Sequence, residues 1–104
     1  MRYAPTGMGT VRDMDVRRND QASRYELIDG GRVVGIADYR VDGDTVVFPH
    51  TEVDTALRGR GLGAVLVKGA LDDVRASGRR IVPLCWFVDQ FVQTHREYAD
   101  LVAA

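Results

Sequence analysis

Six residues, Arg58-Gly59-Arg60-Gly61-Leu62-Gly63, stand directly ahead of a run of good helix formers. Glycine weakens a helix interior by roughly 0.5–1 kcal/mol relative to alanine, so three glycines at a helix start need a reason. The first turn of a helix leaves backbone N–H groups unpaired, and the helix dipole places partial positive charge there. With no side chains in the way, an anion approaches that backbone closely. Arg58 and Arg60 add charge and forked donors suited to phosphate oxygens. The chemistry on offer is a pyrophosphate seat; the competing reading is a flexible loop whose glycines only turn the chain. Two familiar phosphate loops do not fit. A P-loop needs its lysine followed by serine or threonine, which Lys68-Gly69 does not supply. A dinucleotide fingerprint reads G-x-G-x-x-G, whereas Gly59, Gly61 and Gly63 recur at every second residue.

The rest of the composition narrows what such a seat serves. The 104 residues suit one domain, 1–104, with one core. Fourteen basic against fifteen acidic residues give a formal charge of −1, so no global field draws in nucleic acid or an anionic membrane. Anion binding therefore falls to local clusters such as Arg58 and Arg60. Cys85 is the single cysteine, which rules out an internal disulfide, and with two histidines there is no zinc array. No metal ligand set is expected. The opening residues carry no apolar core of signal-peptide length, and no apolar run approaches the ~18 residues of a membrane span. A cytoplasmic protein is the expectation.

The elements that must position the seat are legible from patterning. "TVRDMDVRRN", "SRYELID", "RVVGIADYRV" and "TVVFPHTEV" read as four strands, joined by Gly30-Gly31 and by the Asp42–Asp44 turn into an antiparallel meander. Pro49 lies inside the fourth strand, where it cannot donate a ladder hydrogen bond, so it marks an edge, a bulge or an end. After the glycines, Leu62, Leu66, Val67, Ala70, Leu71 and Val74 form an apolar stripe at helical spacing, with Gly78 as C-cap. "RIVPLC" reads as a buried fifth strand parallel to the fourth. "WFVDQFVQTHREYADLV" reads as a second helix running to near the chain terminus, with Trp86, Phe87 and Phe91 closing the core.

The spacing Arg58-x-x-Gly61-x-Gly63, after a strand and opening a helix, resembles the pyrophosphate loop of the Gcn5-related N-acetyltransferases. "HTEVDTALRGRGLGAVLVKGAL", "RRIVPLC" and "HREYADLV" together are similar to the very short YjdJ-type members of that superfamily, over roughly residues 23–102. The resemblance implies a reduced fold of the α/β (α+β) kind. In it, a four-strand antiparallel meander is followed by a fifth strand that splays from the fourth, with two helices in the C-terminal half. Acetyl-coenzyme A would lie in the splay as cosubstrate, its pyrophosphate on Arg58, Gly59, Arg60, Gly61, Leu62 and Gly63. Its pantetheine would pair with strand-four backbone at Glu52 and Val53. Larger relatives carry two helices between strands one and two that wall the acceptor site; Asn19 to Ser23 is too short for them.

Acetyl transfer from a thioester needs a nucleophile, a group to take its proton, and donors for the oxyanion. The short members place a cysteine where Cys85 stands, which implies an acetyl-cysteine route beside direct transfer to the amine. A following helix N-terminus favours thiolate in general; the alternative is a small buried hydrophobe beside Leu84 and Trp86. His50 matches the histidine of "HTEV" and would act as base for the amine or for Cys85, or else be a histidine held in the sheet. Glu52 shares its strand face and would orient His50 or the amine, unless it only faces solvent. His95 and Tyr98 read as packing or capping residues, with Arg96 where family members carry proline. The implied activity is an acetyl-coenzyme A-dependent N-acetyltransferase acting on a small-molecule or protein amine, as monomer or homodimer, with no nucleic-acid or membrane partner. The rival is an acyl-coenzyme A-binding module without efficient chemistry.

Overall fold

The computed structural model describes residues 14–57 and 59–103. Its elements run β1 (Met14–Asn19), β2 (Arg24–Asp29), β3 (Arg32–Asp42), β4 (Thr45–Val53), α1 (Leu62–Ser77), β5 (Arg80–Val82) and α2 (Trp86–Thr94). Short 3-10 turns occupy Thr55–Leu57 and Arg96–Leu101. The five strands form one sheet in sequence order, β1 to β4 antiparallel and β5 parallel to β4. This is the meander-plus-parallel-strand α+β fold that the patterning and the resemblance led to. The early part of the first expected strand, before Met14, and Arg58 of the loop lie outside the described residues.

Burial along β2 explains why α1 covers one face. Tyr25 and Leu27 alternate into that face at 2% and 0% exposure, with Val16 on β1, Ala37 on β3 and Phe48 on β4 beside them. The α1 stripe of Leu62, Leu66, Val67, Ala70, Leu71 and Val74 closes the same core. Each fully buried leucine contributes about 1.5–3 kcal/mol. The helix sits so low on the sheet that a Cβ built on Gly69 would lie 2.7 Å from Val16 Cβ. Gly78 ends the helix in a left-handed conformation, its N–H donating to Val74 and Arg75 carbonyls, as its position predicts.

Two expectations need correction. The expected second helix is two pieces, because α2 stops at Thr94 and a 3-10 turn begins at Arg96. Thr94 Oγ1 donates to the Gln90 carbonyl at 3.0 Å, and His95 Nδ1 lies 2.9 Å from the Phe91 oxygen. These side chains take up the carbonyls at the helix end, and His95 leaves helical geometry. Trp86 does not close the core: it is 73% exposed, while Phe91 is buried and Phe87 packs against the core from its rim.

Adjacent aspartates on α1 tie the helix to its surroundings. Tyr25 Oη donates to Asp73 at 2.7 Å from the sheet, and Tyr98 Oη donates to Asp72 at 2.6 Å from the C-terminal turn. Burial raises the Tyr25 phenol well above its ordinary value, and its hydrogen bond to Asp73 raises it further. Burial, with a bond to Asp20, pushes Tyr39 up to about 12. The folded state thus holds both protons more tightly than the unfolded chain, whose tyrosines titrate near ~10. Their stabilisation is complete below that pH and is lost as pH climbs toward 12. Denaturant unfolding should show stability falling between pH 9 and pH 11. Tyr25→Phe, though less stable at pH 8, should lose less over that interval; an equal loss would exclude Tyr25 as a source.

Candidate active site in the gap between the fourth and fifth strands

Two prolines flank the place where β4 and β5 part. The ladder pairs Thr45, Val46 and Val47 with Arg80, Ile81 and Val82, and Cys85 N–H reaches the Phe48 carbonyl at 2.7 Å. There it stops. Pro49 has no N–H to offer, and Pro83 likewise has none, while Leu84 N–H turns back to Val82 O at 3.1 Å. As a result β5 ends at Val82, and Pro83 to Cys85 lie outside the strand they were expected to extend. On its other edge β4 carries a bulge: β3 advances from Asp38 to Arg40 while β4 runs from His50 back to Val47, one residue more. The interruption expected at Pro49 is thus both a bulge and the end of pairing with β5.

Past the bulge, ladder parity decides which backbone groups face the gap. Asp54 N–H donates to Val34 O at 2.8 Å, and the register continues as Val53–Gly35, Glu52–Ile36, Thr51–Ala37 and His50–Asp38. Hydrogen-bonded pairs alternate along an antiparallel ladder. Glu52 and His50 therefore spend their amide groups on β3, while those of Thr51 and Val53 point to the open edge. Of the two residues expected to pair with pantetheine, Val53 has its backbone toward the gap and Glu52 does not; the neighbour whose backbone also faces the gap is Thr51.

A cavity of about 560 Å³ occupies the gap, lined by Thr51 and Val53 of β4, Leu57, Gly59, Gly61, Leu62, Gly63 and Ala64 at the start of α1, and Phe87 of α2. Gly61 is the N-cap of α1 with φ 72°, a left-handed conformation that favours glycine. No side chain caps this end and no acidic residue lies in the first turn. The first intrahelical bond is Val65 N–H to Gly61 O, so the N–H groups of Leu62, Gly63 and Ala64 are left to the cavity wall. Gly63 has a different reason to be glycine: a Cβ there would lie 2.7 Å from Phe87 Cζ. Arg60 is exposed beside the loop.

The chemistry-bearing side chains divide between the two faces of β4. On the α1 side, Cys85 is the N-cap of α2 and its Sγ lies 3.5 Å from Thr51 Oγ1. On the opposite face, His50 Nε2 lies 3.0 Å from Glu52 Oε1, both side chains more than half exposed. They line a second cavity of about 650 Å³, which shares Thr51 and Val53 with the first. The strand segment 51–53 is thus a partition. The structure brings His50 to Glu52 and Cys85 to Thr51, and it does not bring His50 to Cys85. Glu52 faces solvent and pairs with His50 at once. Cys85 is partly buried and packs against the core, while its neighbours Leu84 and Trp86 are exposed. Thr51 is a site residue that sequence reasoning passed over; its alternation with His50 and Glu52 is the signal that marks it.

His95 and Tyr98 stay out of both cavities. The His95 ring stacks on Phe91 at 3.9 Å between centroids, and Tyr98 is 4% exposed, in line with packing and capping.

A family model described as a GCN5-related N-acetyl-transferase matches residues 24–101. The chain belongs to that family. Among curated proteins it is 41% identical to Protein NATD1 of Bos taurus over 56 residues, 53% of this chain and 50% of that protein. It is 38% identical to Protein NATD1 of Homo sapiens over 56 residues, 53% of this chain and 50% of that one. The chain spans about half the length of the curated relatives it matches. A GCN5-like protein of Staphylococcus aureus solved by NMR superposes with a TM-score of 0.66 at 22% identity, covering 86% of this chain and 88% of that chain. The ribosomal-protein-S18-alanine N-acetyltransferase of Escherichia coli gives 0.60 at 17% identity, covering 69% and 50%. At those identities the likeness is one of fold. No described helix is long and apolar enough to cross a membrane.

Cys85 does not line the gap cavity, but its Sγ lies 3.5 Å from the hydroxyl of Thr51, which does. Saturating coenzyme A should slow alkylation of Cys85 by iodoacetamide several-fold, followed by intact-mass spectrometry. Equal rates with and without ligand would remove Cys85 from the thioester end.

Proposed function

We propose that the chain is an acetyl-coenzyme A-dependent N-acetyltransferase that transfers acetyl directly to an amine. The observation that carries this reading is the uncapped, acid-free N-terminus of α1, opening onto the gap where β4 leaves β5. The free N–H groups of Leu62, Gly63 and Ala64 and the nearby Arg60 suit a pyrophosphate. The open-edge backbone of Thr51 and Val53 suits the amides of a pantetheine arm. The bound cosubstrate supplies an activated acetyl thioester.

The residues of this chain do the rest. His50 takes the proton from the attacking amine, and Glu52 holds its Nε2. A base must reach the nucleophile it serves, and β4 stands between His50 and Cys85. That separation favours direct transfer over an acetyl-cysteine intermediate. The test is incubation with acetyl-coenzyme A labelled in the acetyl group, with calorimetry of coenzyme A binding in parallel. Label on a free amine, and none retained on the protein, is the expected result. Label on Cys85 would replace the direct route by the covalent one. Binding without turnover across a broad set of amines would leave an acyl-coenzyme A-binding module, and failure to bind would overturn the reading.

A further inference from the structure

A third cavity, of about 230 Å³, opens where the C-terminal end of α1 lies over the sheet. It is smaller than the roughly 300–1,000 Å³ that drug-sized ligands occupy, so it suits a small metabolite. The helix is 16 residues long, which puts roughly 24 Å between this end and the glycine loop at its start. A molecule here does not reach the gap between β4 and β5.

The floor of the cavity is apolar. Val41 and Val46 are cross-strand partners and present their side chains to the α1 face, and Val74 meets them from the helix. Tyr25 and Tyr39 close one side, their ring centroids 5.3 Å apart. Val41 is still half-exposed there.

Opposite charges stand on the two rims. On the β1 side, Arg18 is held between two carboxylates, its Nε 3.0 Å from Asp20 Oδ1 and its Nη1 2.9 Å from Asp73 Oδ2. Tyr39 Oη donates to the same oxygen of Asp20, and Tyr25 Oη to the same oxygen of Asp73. One guanidinium between two carboxylates leaves one negative charge in surplus. Asp20 Oδ2 has no partner among the described residues. On the other rim, Arg79 follows the C-cap of α1, its backbone N–H donating to Val74 O at 3.3 Å. Its Nε–H reaches only the Gly43 carbonyl, at 3.5 Å. Asp42 and Asp44 flank that glycine, yet among the described residues no carboxylate comes within ion-pair distance of Arg79. Its Nη1 and Nη2 are therefore uncommitted.

We infer that this cavity binds a free α-amino acid with an aliphatic side chain. The carboxylate lies on the Nη1 and Nη2 fork of Arg79, the ammonium on Asp20 Oδ2, and the side chain on Val41, Val46 and Val74. A forked guanidinium matches a carboxylate in shape as well as charge. A simple acid or a simple amine answers one rim and leaves the other charge unmatched, and a peptide carries only one of the two groups at each end. The amino acid is not an acetyl acceptor, because its ammonium is held at the end of α1 remote from the glycine loop. The site stands whether or not the chain transfers acetyl.

The test is an NMR titration of the whole chain with L-leucine, 4-methylpentanoate and 3-methylbutylamine, the last two keeping the side chain and lacking one charge each. Leucine should give saturable shifts at the amides of Val41, Val46 and Ser77. The acid and the amine should each bind at least about tenfold more weakly, the loss of one charge-assisted contact. Arg79→Gln should weaken leucine by a similar factor and leave coenzyme A affinity in place, and Arg79→Lys should recover part of the loss. The absence of saturable shifts with leucine overturns the inference. Equal binding of the acid would make the cavity an anion site, and equal binding of the amine a cation site; either result overturns the amino-acid assignment. Leucine binding untouched by Arg79→Gln places the ligand elsewhere and overturns it as well.

Discussion

Replacing His50 with glutamine should lower acetyl transfer by about 10²–10⁴-fold, the range general-base removal produces. Glutamine keeps a polar side chain of similar reach, so Glu52 retains a donor in place of the imidazole Nε2 it now lies 3.0 Å from. What disappears is the ability to accept a proton at neutral pH. Coenzyme A affinity should stay close to wild type, because the seat at the start of α1 lies on the other face of β4. The side chain is more than half exposed, so the fold should not suffer. Wild-type rates in a folded His50→Gln protein would make this histidine a sheet residue and hand the proton to water.

The second large effect belongs to the loop. Gly61→Asp should weaken coenzyme A binding by at least tenfold, about 1.4 kcal/mol. Nothing lies within 4 Å of a Cβ built at Gly61, so the new side chain has room. Its carboxylate would sit at the end of α1 where N–H groups are uncapped, and aspartate is a good partner for such groups. It would occupy the donors a phosphate needs and repel the phosphate as well. The left-handed φ of 72° costs the variant some stability, which the capping interaction offsets in part. Calorimetry on the folded variant decides the matter, with Arg17→Ala on the far strand β1 as a control expected to bind normally. Undiminished affinity in Gly61→Asp would move the pyrophosphate elsewhere.

Much of this protein was written in local patterns. The fourth strand spans "TVVFPHTEV" as alternation and its proline suggested, because strand formation and proline's missing N–H are properties of a few consecutive residues. The glycine-rich turn into α1 was legible for the same reason: the glycines and the helix start are neighbours in the chain. That His50 and Glu52 meet follows from a two-residue period that holds within one strand. The second helix was overextended because apolar spacing continues through His95, and only the competition of Thr94 and His95 for backbone carbonyls ends it.

Tertiary structure decided the rest, wherever the outcome depended on pairing between distant segments. No local pattern separates His50 from Cys85; the bulge at Phe48-Pro49 and the start of α2 put them on opposite faces of β4. Whether Glu52 or Thr51 offers its backbone to a ligand is a question of ladder parity, settled by the bond from Asp54 to Val34, twenty residues away in sequence. Gly63 looked like a place for an anion to approach, yet the ring of Phe87 fills the space above it. Trp86 matched the core in composition and stands in solvent, since its residue is the first of a helix whose buried face begins at Val88. The sequence by itself determined the elements and the electropositive loop, because those arise among neighbours. Only the folded chain determined which groups share a side of the strand, because that is set by partners the local pattern does not contain.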